Sequence, residues 1–480
     1  MITIRRTPDL CSFILIEDSE TTLDPYVLNF INQWCSFYKR DYDVFKRKIK
    51  LTRIPMAHFL GDNRVLIPAG YFLSLLDYLN RNARPYTIHC TVPPLKPDIE
   101  AAKKKISFRP YQEQCLEAIA YALERDGNIG GLVVAPPAFG KTYLIGAICA
   151  AFPEARVFVV SRRRDVILNC FDYLSKIVDS VGIVTTGKHL RNRRVMLYTI
   201  ESLWGEDTSP ELMILDEIHE LVTDRYFSLL MEFCCPKIGL TATPDTRFDN
   251  LHKRIEALVG RCIFEVTYED AVDANLVVPI VVQWLDPPVK SGVTYESIRD
   301  RSAAIWSNDE RNKYIADVAR EFYKEGQQVL ILVTTIEHAF GLHKYLPEFE
   351  VCYSGSSREG YTDKYPRMSS KKRDELRERF SKGDLKAVIA TGVWAVGVSF
   401  NDLQVLVRAD AQSSATYSVQ APGRVCRVSD RAQKPSGLVI DFMDTFSSKL
   451  YRAAKARSRT YEKQKWIQLD PSGRIIKHLK

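Results

Sequence analysis

Short apolar runs alternate with helical patterns along the chain beyond residue 105. In the first part of this region, the runs have the length and composition of buried strands. Strands are predicted at Leu132–Ala135, Val157–Ser161, Val195–Thr199, Leu212–Leu215 and Ile238–Leu240. Helices are predicted over Tyr111–Glu124, Thr142–Ala151 and Asp165–Ile177. Strands that alternate with helices are typical of βαβ units and a parallel sheet.

A second series of the same kind follows and predicts a second lobe. Its strands are expected at Val329–Val333, Ala387–Thr391, Val405–Val407 and Leu438–Phe442. Its helices are expected at Asn312–Lys324 and Ser370–Ser381. The linker between the two series is expected near Asp286–Gly292, where two prolines stand side by side.

Residues 91–105 contain three prolines followed by a charge run, which predicts another linker. The chain therefore divides into four predicted parts. These are an N-terminal nucleic-acid-binding accessory domain (1–100), a first lobe (101–286), a second lobe (287–445) and a basic C-terminal tail (446–480). The expected fold class is α/β, with two tandem parallel-sheet lobes and a small N-terminal α+β domain.

Composition narrows the classes of protein. The chain has 480 residues, of which 46% are hydrophobic, as in a globular protein. Its apolar runs are far shorter than the ~20 residues of a membrane span. The first ten residues lack the apolar stretch of a secretory signal. Eleven cysteines without a CxxC pair favour reduced thiols, a cytoplasmic location, and neither a disulfide scaffold nor a zinc site.

The charge distribution predicts a polyanionic partner. Residues 1–105 hold 16 Lys and Arg against 11 Asp and Glu, and residues 446–480 hold 10 against 2. The middle of the chain holds 41 against 46, so the two ends are basic and the centre is mildly acidic. Basic ends around a neutral centre favour binding to nucleic acid, although each single Lys or Arg is better explained by a solvated surface.

The segment 133–142, VVAPPAFGKT, has the spacing of a phosphate-binding P-loop in which Ala135 replaces the first glycine. A buried strand precedes the loop and a helix follows it, so backbone N–H groups at the helix start face the phosphates. Lys141 would reach the β and γ oxygens of ATP, and the Thr142 hydroxyl would bind Mg²⁺. The expected ATP-binding residues are Pro136, Pro137, Ala138, Phe139, Gly140, Lys141 and Thr142. Phe139 is equally explained as a packing residue.

The segment 212–220, LMILDEIHE, delivers two carboxylates to the end of a predicted strand. Asp216 would hold the Mg²⁺ shell, and Glu217 would polarise the attacking water. Two solvated acids at a strand end are the alternative explanation, but the preceding P-loop favours the catalytic one.

These motifs resemble those of the superfamily 2 helicases and translocases, in the same order, from Phe108 to Asp444. The resemblance implies two RecA-like lobes. It implies that Arg109 and Gln112 of a Q motif bind the adenine. Nucleic-acid contacts are implied for Arg162 and Arg163 of VFVVSRRRD and for Thr199 and Ser202 of TIESL. Residues implied to couple ATP hydrolysis to movement are His219, Thr241 and Thr243.

In the second lobe, ATGVWAVGVS (390–399) resembles motif V, and QAPGRVCR (420–427) matches motif VI. The resemblance implies a nucleic-acid contact by Thr391 and nucleotide contacts by Gly397 and Gln420. Ser399 stands where most relatives have aspartate, which leaves the partner of that position open. Arg424 and Arg427 would be arginine fingers that neutralise the transferring phosphoryl group.

Further segments resemble the branch that contains UvsW-type, RecG-like and XPB-like DNA translocases. They are 45–78, 259–279, NDERN (308–312) and GLVIDFMD (437–444). This resemblance implies a monomeric ATP- and Mg²⁺-dependent enzyme that acts on branched or duplex DNA or RNA–DNA hybrids, in the host cytoplasm if phage-encoded. Its tasks would be branch migration, fork regression and R-loop unwinding. An RNA helicase and an ATP-switched duplex-binding subunit of a larger complex remain alternatives.

The C-terminal segment interleaves basic and aromatic residues. Arg452, Lys455, Arg457 and Arg459 are predicted to contact DNA phosphates. An equally good explanation is a cationic terminal helix whose aromatic residues pack against the two-lobed part of the chain.

Overall fold

The protein is described from a computed structural model. The structure describes residues 1–43, 48–109, 111–125, 129–207, 209–245, 247–289, 300–354, 365–394, 400–429 and 431–479. The chain forms two compact units. The first unit comprises Met1–Pro136 and Gly140–Val266, and the second comprises Pro137–Phe139 and Thr267–Lys480. No helix within the described ranges is both long and apolar enough to cross a membrane.

The N-terminal part of the first unit has its own sheet, as predicted for a small α+β domain. Its strands are β1 (Ile2–Arg6), β2 (Phe13–Asp18), β3 (Ser36–Asp43), β4 (Lys48–Pro55), β5 (His58–Phe59), β6 (Arg64–Pro68) and β7 (Tyr86–Cys90). Its helices are α1 (Pro25–Trp34) and α2 (Phe72–Arg81). Five strands form one sheet in the order β5-β6-β2-β1-β7, and β3 and β4 form a separate antiparallel ribbon. Every second residue of β1 and β2 is buried, which gives this sheet one core face.

The N-terminal sheet shares a hydrophobic core with the first lobe. At the junction, the buried Lys237 ammonium donates to Ser12 Oγ at 2.6 Å and to the Phe233 carbonyl at 2.7 Å. Burial lowers the pKa of Lys237. A Cβ added at Gly70 would lie 1.9 Å from the Glu256 carbonyl oxygen, so the two backbones meet without room for a side chain. The expected boundary at residue 100 therefore separates two sheets, but it does not separate two independent cores.

The first lobe is an eight-stranded, mostly parallel sheet in the order β11-β10-β12-β9-β13-β14-β8-β15. Its strands are β8 (Gly130–Val134), β9 (Val157–Ser161), β10 (Val181–Thr185), β11 (Lys188–Leu190), β12 (Val195–Thr199), β13 (Leu212–Asp216), β14 (Lys237–Thr241) and β15 (Cys262–Glu265). Its helices are α3 (Ile99–Lys105), α4 (Gln112–Arg125), α5 (Lys141–Ala151), α6 (Arg164–Leu174), α7 (Asp224–Met231) and α8 (Arg254–Val259). The five predicted strands and three predicted helices are present, and β10, β11 and β15 are additional.

The second lobe is another eight-stranded sheet, in the order β18-β19-β17-β20-β21-β16-β22-β23. Its strands are β16 (Ile280–Leu285), β17 (Val329–Leu332), β18 (Glu350–Cys352), β19 (Ala387–Ala390), β20 (Val405–Arg408), β21 (Gly437–Phe442), β22 (Ile467–Leu469) and β23 (Ile475–Ile476). Its helices are α9 (Tyr268–Asp273), α10 (Asp309–Lys324), α11 (Ile336–His343), α12 (Ser370–Lys382), α13 (Ala415–Gln420) and α14 (Ser448–Lys463). Because β16 pairs with β21, the second lobe begins before the linker that was expected near residue 286.

The segment 446–480 is part of the second lobe and is not a separate tail. Its strand β22 pairs in parallel with β16 at the sheet edge. In helix α14, Arg457 is 1% exposed, and its guanidinium makes two hydrogen bonds to the Asp441 carboxylate, at 2.8 and 3.0 Å. The prediction that Arg457 contacts DNA is therefore wrong, because its charge is buried against strand β21. Tyr461 also donates to Asp441, at 2.7 Å.

Arg457→Ala should destabilise the second lobe, because it leaves the Asp441 carboxylate buried without its main partner. Loss of one member of a buried pair costs about 3–5 kcal/mol. We expect a fall in melting temperature on the order of 10 °C. Arg459→Ala, two residues along the helix and exposed, is the matched control and should change the melting temperature by less than about 2 °C. Equal melting temperatures for the two variants would contradict the structural role of Arg457.

Candidate nucleotide and nucleic-acid site

The strand order of the first lobe brings three predicted motifs to one edge. Strand β14 lies between β8 and β13, and all three run parallel. The P-loop follows β8, Asp216 ends β13 and Thr241 ends β14. Ligands of open parallel sheets bind outside the carboxyl ends of their strands. The predicted ATP-site and coupling residues of the first lobe therefore meet at the edge where such a site belongs.

The first residue of helix α5 makes an ion pair with the acidic segment. Lys141 Nζ lies 3.2 Å from Glu217 Oε1, and both side chains are about 15% exposed or less. Glu217 has a left-handed backbone, with φ of 49°, and its N–H donates to Asp216 Oδ1 at 3.0 Å. Of the two neighbouring carboxylates, Glu217 is the one that makes an ion pair with Lys141.

A hydrogen-bonded group of three residues lies beside this pair. His219 Nδ1 lies 3.5 Å from Glu217 Oε2, and it shares a hydrogen bond of 2.8 Å with Thr241 Oγ1. The Thr243 N–H donates to the same hydroxyl oxygen at 3.1 Å, so the Thr241 proton is available to His219. Burial lowers the pKa of His219, which favours the neutral ring that this arrangement uses. The three residues predicted to couple hydrolysis to movement thus form one hydrogen-bonded group, and its His219 ring lies beside Glu217.

Burial and charge act in opposite directions on the two carboxylates. Burial, with a contribution from Glu217, raises the pKa of Asp216 to about 7. Burial would also raise the pKa of Glu217, but the Lys141 ammonium brings it below its usual value. Asp216 therefore lies in a place where the negative charge is unfavourable unless another cation is bound nearby.

The predicted adenine-binding residues lie beside the loop. Gln112 is buried, and its Oε1 accepts a hydrogen bond of 3.0 Å from the Arg109 N–H. Gly140 has φ of +94°, and a Cβ there would lie 2.7 Å from Gln112 Nε2. Arg109 is exposed, and its guanidinium carbon lies 5.5 Å from the centre of the Tyr143 ring. Gln112 is therefore held between the backbone before helix α4 and the end of the P-loop.

The P-loop itself combines buried and accessible residues. Pro136 and Phe139 are buried, Pro137 and Ala138 are partly exposed, and so are Lys141 and Thr142. The packing explanation given for Phe139 agrees with this burial. Ala138 adopts φ of +67°, a conformation that favours glycine.

The residues of the first lobe that are predicted to contact nucleic acid differ in their exposure and in the partners that their side chains already have. Thr199 and Ser202 share a hydrogen bond of 2.8 Å through their hydroxyls. Arg162 is exposed. Arg163 instead forms a two-pronged ion pair with Glu220, with its shortest contact at 2.6 Å. Its guanidinium would have to leave Glu220, or share it, to bind a phosphate.

The second-lobe predictions lie in the motif V and motif VI segments. Thr391 and Gln420 are buried, and Gln420 Nε2 donates no hydrogen bond within the described part of the chain. Arg424 and Arg427 are partly exposed, and their roles as arginine fingers remain predictions. Gly397 lies outside the described residues. Among the C-terminal residues, Arg452 and Arg459 are exposed and Lys455 is partly exposed, so their phosphate contacts also remain predictions.

Two contributions to the sites were not predicted from the sequence. Arg247 donates to the His219 carbonyl at 3.0 Å and so supports the segment that carries the coupling histidine. In the second lobe, the fully buried Arg311 makes hydrogen bonds of 2.8 and 3.0 Å to Asp444. Arg311 belongs to NDERN and Asp444 ends GLVIDFMD, so the co-occurrence of these two segments was the available signal.

Comparisons with known proteins agree with these motifs. Residues 105–246 match the family described as type III restriction enzyme, res subunit, and residues 312–429 match the helicase conserved C-terminal domain. The chain belongs to the superfamily 2 helicases and translocases. A relative of this helicase is the DNA 3'-5' translocase XPB2 of Sulfurisphaera tokodaii. It is 23% identical over 389 residues, which cover 74% of this chain and 85% of that protein.

Solved structures support the two-lobed fold of the helicase. Saccharomyces cerevisiae Dbp5, bound to RNA and ADP BeF3, has a TM-score of 0.52 with 14% identity and covers 78% of this chain and 94% of its own. T4 UvsW covers 98% of both chains at 15% identity, but its TM-score is 0.42, below the range that shows a common fold. The predicted tandem RecA-like lobes are confirmed.

The helicase family uses ATP, usually with Mg²⁺, and the first-lobe residues fit both groups. Asp216 is buried and its pKa is raised, so a nearby cation would stabilise its carboxylate. Glu217 Oε2 is buried and accepts no hydrogen bond from the described residues. Mg²⁺ is commonly held by one or two protein oxygens together with substrate phosphates, and Asp216 and Thr142 would supply those oxygens.

Lys141→Ala should reduce ATP hydrolysis at least about 100-fold, because a positive charge at the phosphates is lost. The variant should fold, since Lys141 contributes charge rather than core volume. Steady-state phosphate release measures the effect, and exposed Lys176→Ala is the matched control. Turnover within about tenfold of wild type would refute the P-loop assignment.

His219→Ala and Thr241→Val should each reduce the stimulation of ATP hydrolysis by nucleic acid, since each removes one side of the 2.8 Å hydrogen bond. The double variant should resemble the single variants, because residues that share one interaction are not additive. Hydrolysis rates with and without DNA measure the coupling. Additive losses would show that the two side chains act separately.

Proposed function

We propose that the protein is an ATP-dependent DNA translocase that remodels branched DNA, by branch migration, fork regression and R-loop unwinding. The observation that carries the proposal is the polar connection from Lys141 through Glu217 and His219 to Thr241. A nucleotide phosphate at Lys141 would alter the charge at Glu217, and the hydrogen-bonded histidine would pass this change to the end of β14. DNA as the partner is supported by the name of the XPB2 relative.

The residues have distinct roles in this proposal. Lys141 binds the phosphates, Glu217 orients the attacking water, and Arg424 and Arg427 neutralise charge on the transferring group. Mg²⁺, when bound at Asp216 and Thr142, supplies the charge that offsets the phosphate oxygens. Lys141 also leaves its ion pair with Glu217 when it binds phosphate. The Glu217 carboxylate is then available to the water, so ATP binding itself prepares the base.

The β3–β4 ribbon supports a role for the N-terminal domain in binding branches. Strand pairing places Tyr38, Arg40 and Tyr42 on one face, opposite Arg53, Leu51 and Ile49. Tyr38, Tyr42, Leu51 and Ile49 are all more than half exposed. Exposed aromatic rings beside arginines are typical of surfaces that stack on bases and contact phosphates.

The ribbon is also held in place on the first lobe. Lys39 Nζ lies 3.2 Å from Asp224 Oδ2, at the start of α7. The Asn250 side chain donates to the Tyr38 carbonyl at 2.9 Å. These contacts occupy the edge and the opposite face of the ribbon and leave the face of Tyr38 and Tyr42 open. A branched substrate bound there would be held at a set position relative to the ATP site.

The proposal is tested by ATP-dependent strand displacement on a fork, a four-way junction, an R-loop, a plain DNA duplex and an RNA duplex. We expect the branched DNAs to be favoured. Tyr38→Ala with Tyr42→Ala should reduce activity on the fork about tenfold, through lost stacking, and should reduce it less on plain duplex. Tyr121→Ala, which removes an equally exposed tyrosine from α4, is the matched control.

Three outcomes would contradict the proposal. Equal activity on fork and duplex would remove branch specificity. Preference for the RNA duplex would make the protein an RNA helicase. ATP hydrolysis without displacement of any strand, in the purified chain, would favour a subunit whose ATPase only switches its grip on duplex DNA.

A further inference from the structure

Trp204 is an exposed indole beside the predicted nucleic-acid contacts of the first lobe. It follows Leu203 directly, two residues after Ser202 and five after Thr199, and it is 41% exposed. By contrast, Trp284, Trp394 and Trp466 are at most 5% exposed. Trp204 is therefore far more exposed than these three, and part of its indole surface is accessible to a ligand.

Helix α7 holds the indole from one side. The guanidinium carbon of Arg225 lies 4.9 Å from the centre of the Trp204 ring, within the range of a cation–π contact. The next residue, Tyr226, donates a hydrogen bond of 2.6 Å to Glu201 Oε1. The first turn of α7 is thus fastened to the segment that carries Thr199 and Ser202. The indole is supported on one side and remains accessible to solvent.

The charge around the indole favours a polyanionic strand. Arg225 is exposed and makes no ion pair among the residues that the structure describes. Arg162 is exposed too, and lies close enough to act electrostatically on Tyr226. The hydrogen bond to Glu201 raises the pKa of Tyr226, and both arginines oppose that rise. The acids nearest in the sequence, Glu206, Asp207 and Asp224, each pair with another cation, namely Arg191, Arg156, and Lys39 with Arg254. Arg225 and Arg162 are therefore not needed to neutralise these three acids.

We infer that Trp204 stacks on an unpaired base of the bound nucleic-acid strand, while Arg225 and Arg162 contact the phosphates on either side. The inference deepens the proposed function and rests on it. Stacking on an aromatic ring is tolerant of base identity because every base has a π face. It would hold a single strand at the point where the strand leaves Thr199 and Ser202. The faces of a base inside a duplex are covered by its stacked neighbours, so binding of duplex DNA should depend less on Trp204.

The test is equilibrium binding of the full chain to fluorescein-labelled oligo-dT and oligo-U strands of about 20 nucleotides, longer than a typical single-strand site. A DNA duplex of the same length is the third ligand. Trp204→Ala should weaken binding to a single strand about tenfold and weaken duplex binding less. Trp204→Phe should keep most of the affinity, because phenylalanine retains an aromatic face. The oligo-dT and oligo-U arms show whether the strand is DNA or RNA.

Intrinsic fluorescence gives a second measurement that does not depend on the alanine variant being folded. Binding of unlabelled oligo-dT should quench the wild-type tryptophan emission, and Trp204→Phe should lose most of that quench while still binding. Trp34→Phe is the matched control, since Trp34 is 36% exposed in the N-terminal domain. This control should keep the quench.

The outcomes separate the inference from the proposed function. If the wild type binds strands but Trp204→Ala binds them within about twofold of it, far less than stacking predicts, the stacking role is wrong and the translocase proposal stands. A full quench in Trp204→Phe would overturn the stacking role as well. If the wild type binds neither single-stranded ligand, the stacking role is overturned, while the translocase proposal is decided by strand displacement on the branched DNAs.

Discussion

The first lobe depends on the placement of buried charge at one edge of its sheet. Two adjacent carboxylates, Asp216 and Glu217, end a strand whose residues are all buried. Such a pair is stable only if cations lie close by or if one group takes a proton. Lys141 supplies one cation. It follows strand β8, which is separated from β13 by β14 in the sheet. The remaining demand for positive charge is the physical basis for binding a metal ion and for holding phosphates at this edge.

The same constraint explains local features that otherwise look unrelated. Glu217 follows Asp216 with a left-handed backbone, and its carboxylate lies 3.2 Å from Lys141 Nζ. The neutral, buried His219 is held by Thr241 and by the carbonyl contact from Arg247, so it accepts a hydrogen bond without adding charge. In the second lobe, Arg408, Asp410, Asp441 and Arg457 form a buried network in which each charge has an opposite partner. That network joins helix α14 to the sheet, which is why the C-terminal segment folds as part of the lobe.

Much of the two lobes could be predicted from the sequence. Buried parallel strands are continuous apolar runs, so Val157–Ser161 and Val195–Thr199 were placed correctly to the residue. The P-loop and acidic motifs indicated that the carboxyl ends of β8 and β13 lie at the same edge of the sheet. Other elements carried weaker signals. Strand β22 is only three residues long and contains a glutamine, and its membership of the sheet is decided by pairing with β16, far away in the chain.

Charge patterns were less reliable than apolar ones, because a sequence does not show where a charged side chain finds its partner. Arg457 and Arg459 look alike in the sequence, yet one is buried against Asp441 and the other is exposed. Arg163 likewise looks free but is paired with Glu220. In the N-terminal region, three prolines gave the impression of a hinge between separate domains. Lys237 donates to Ser12 and so links the two parts, but only the three-dimensional structure shows this contact.

The junction at Lys237 and Gly70 limits how this architecture can be rearranged. An accessory domain on a flexible tether can be exchanged between relatives as a cassette, since few contacts cross the boundary. Here a transferred N-terminal domain would bring with it only part of the shared core, the Ser12 hydroxyl that accepts from Lys237, and Gly70, where the first lobe leaves no room for a side chain. A substitution on one side of the junction therefore requires a compensating substitution on the other side. The N-terminal sheet and the first lobe should consequently evolve together.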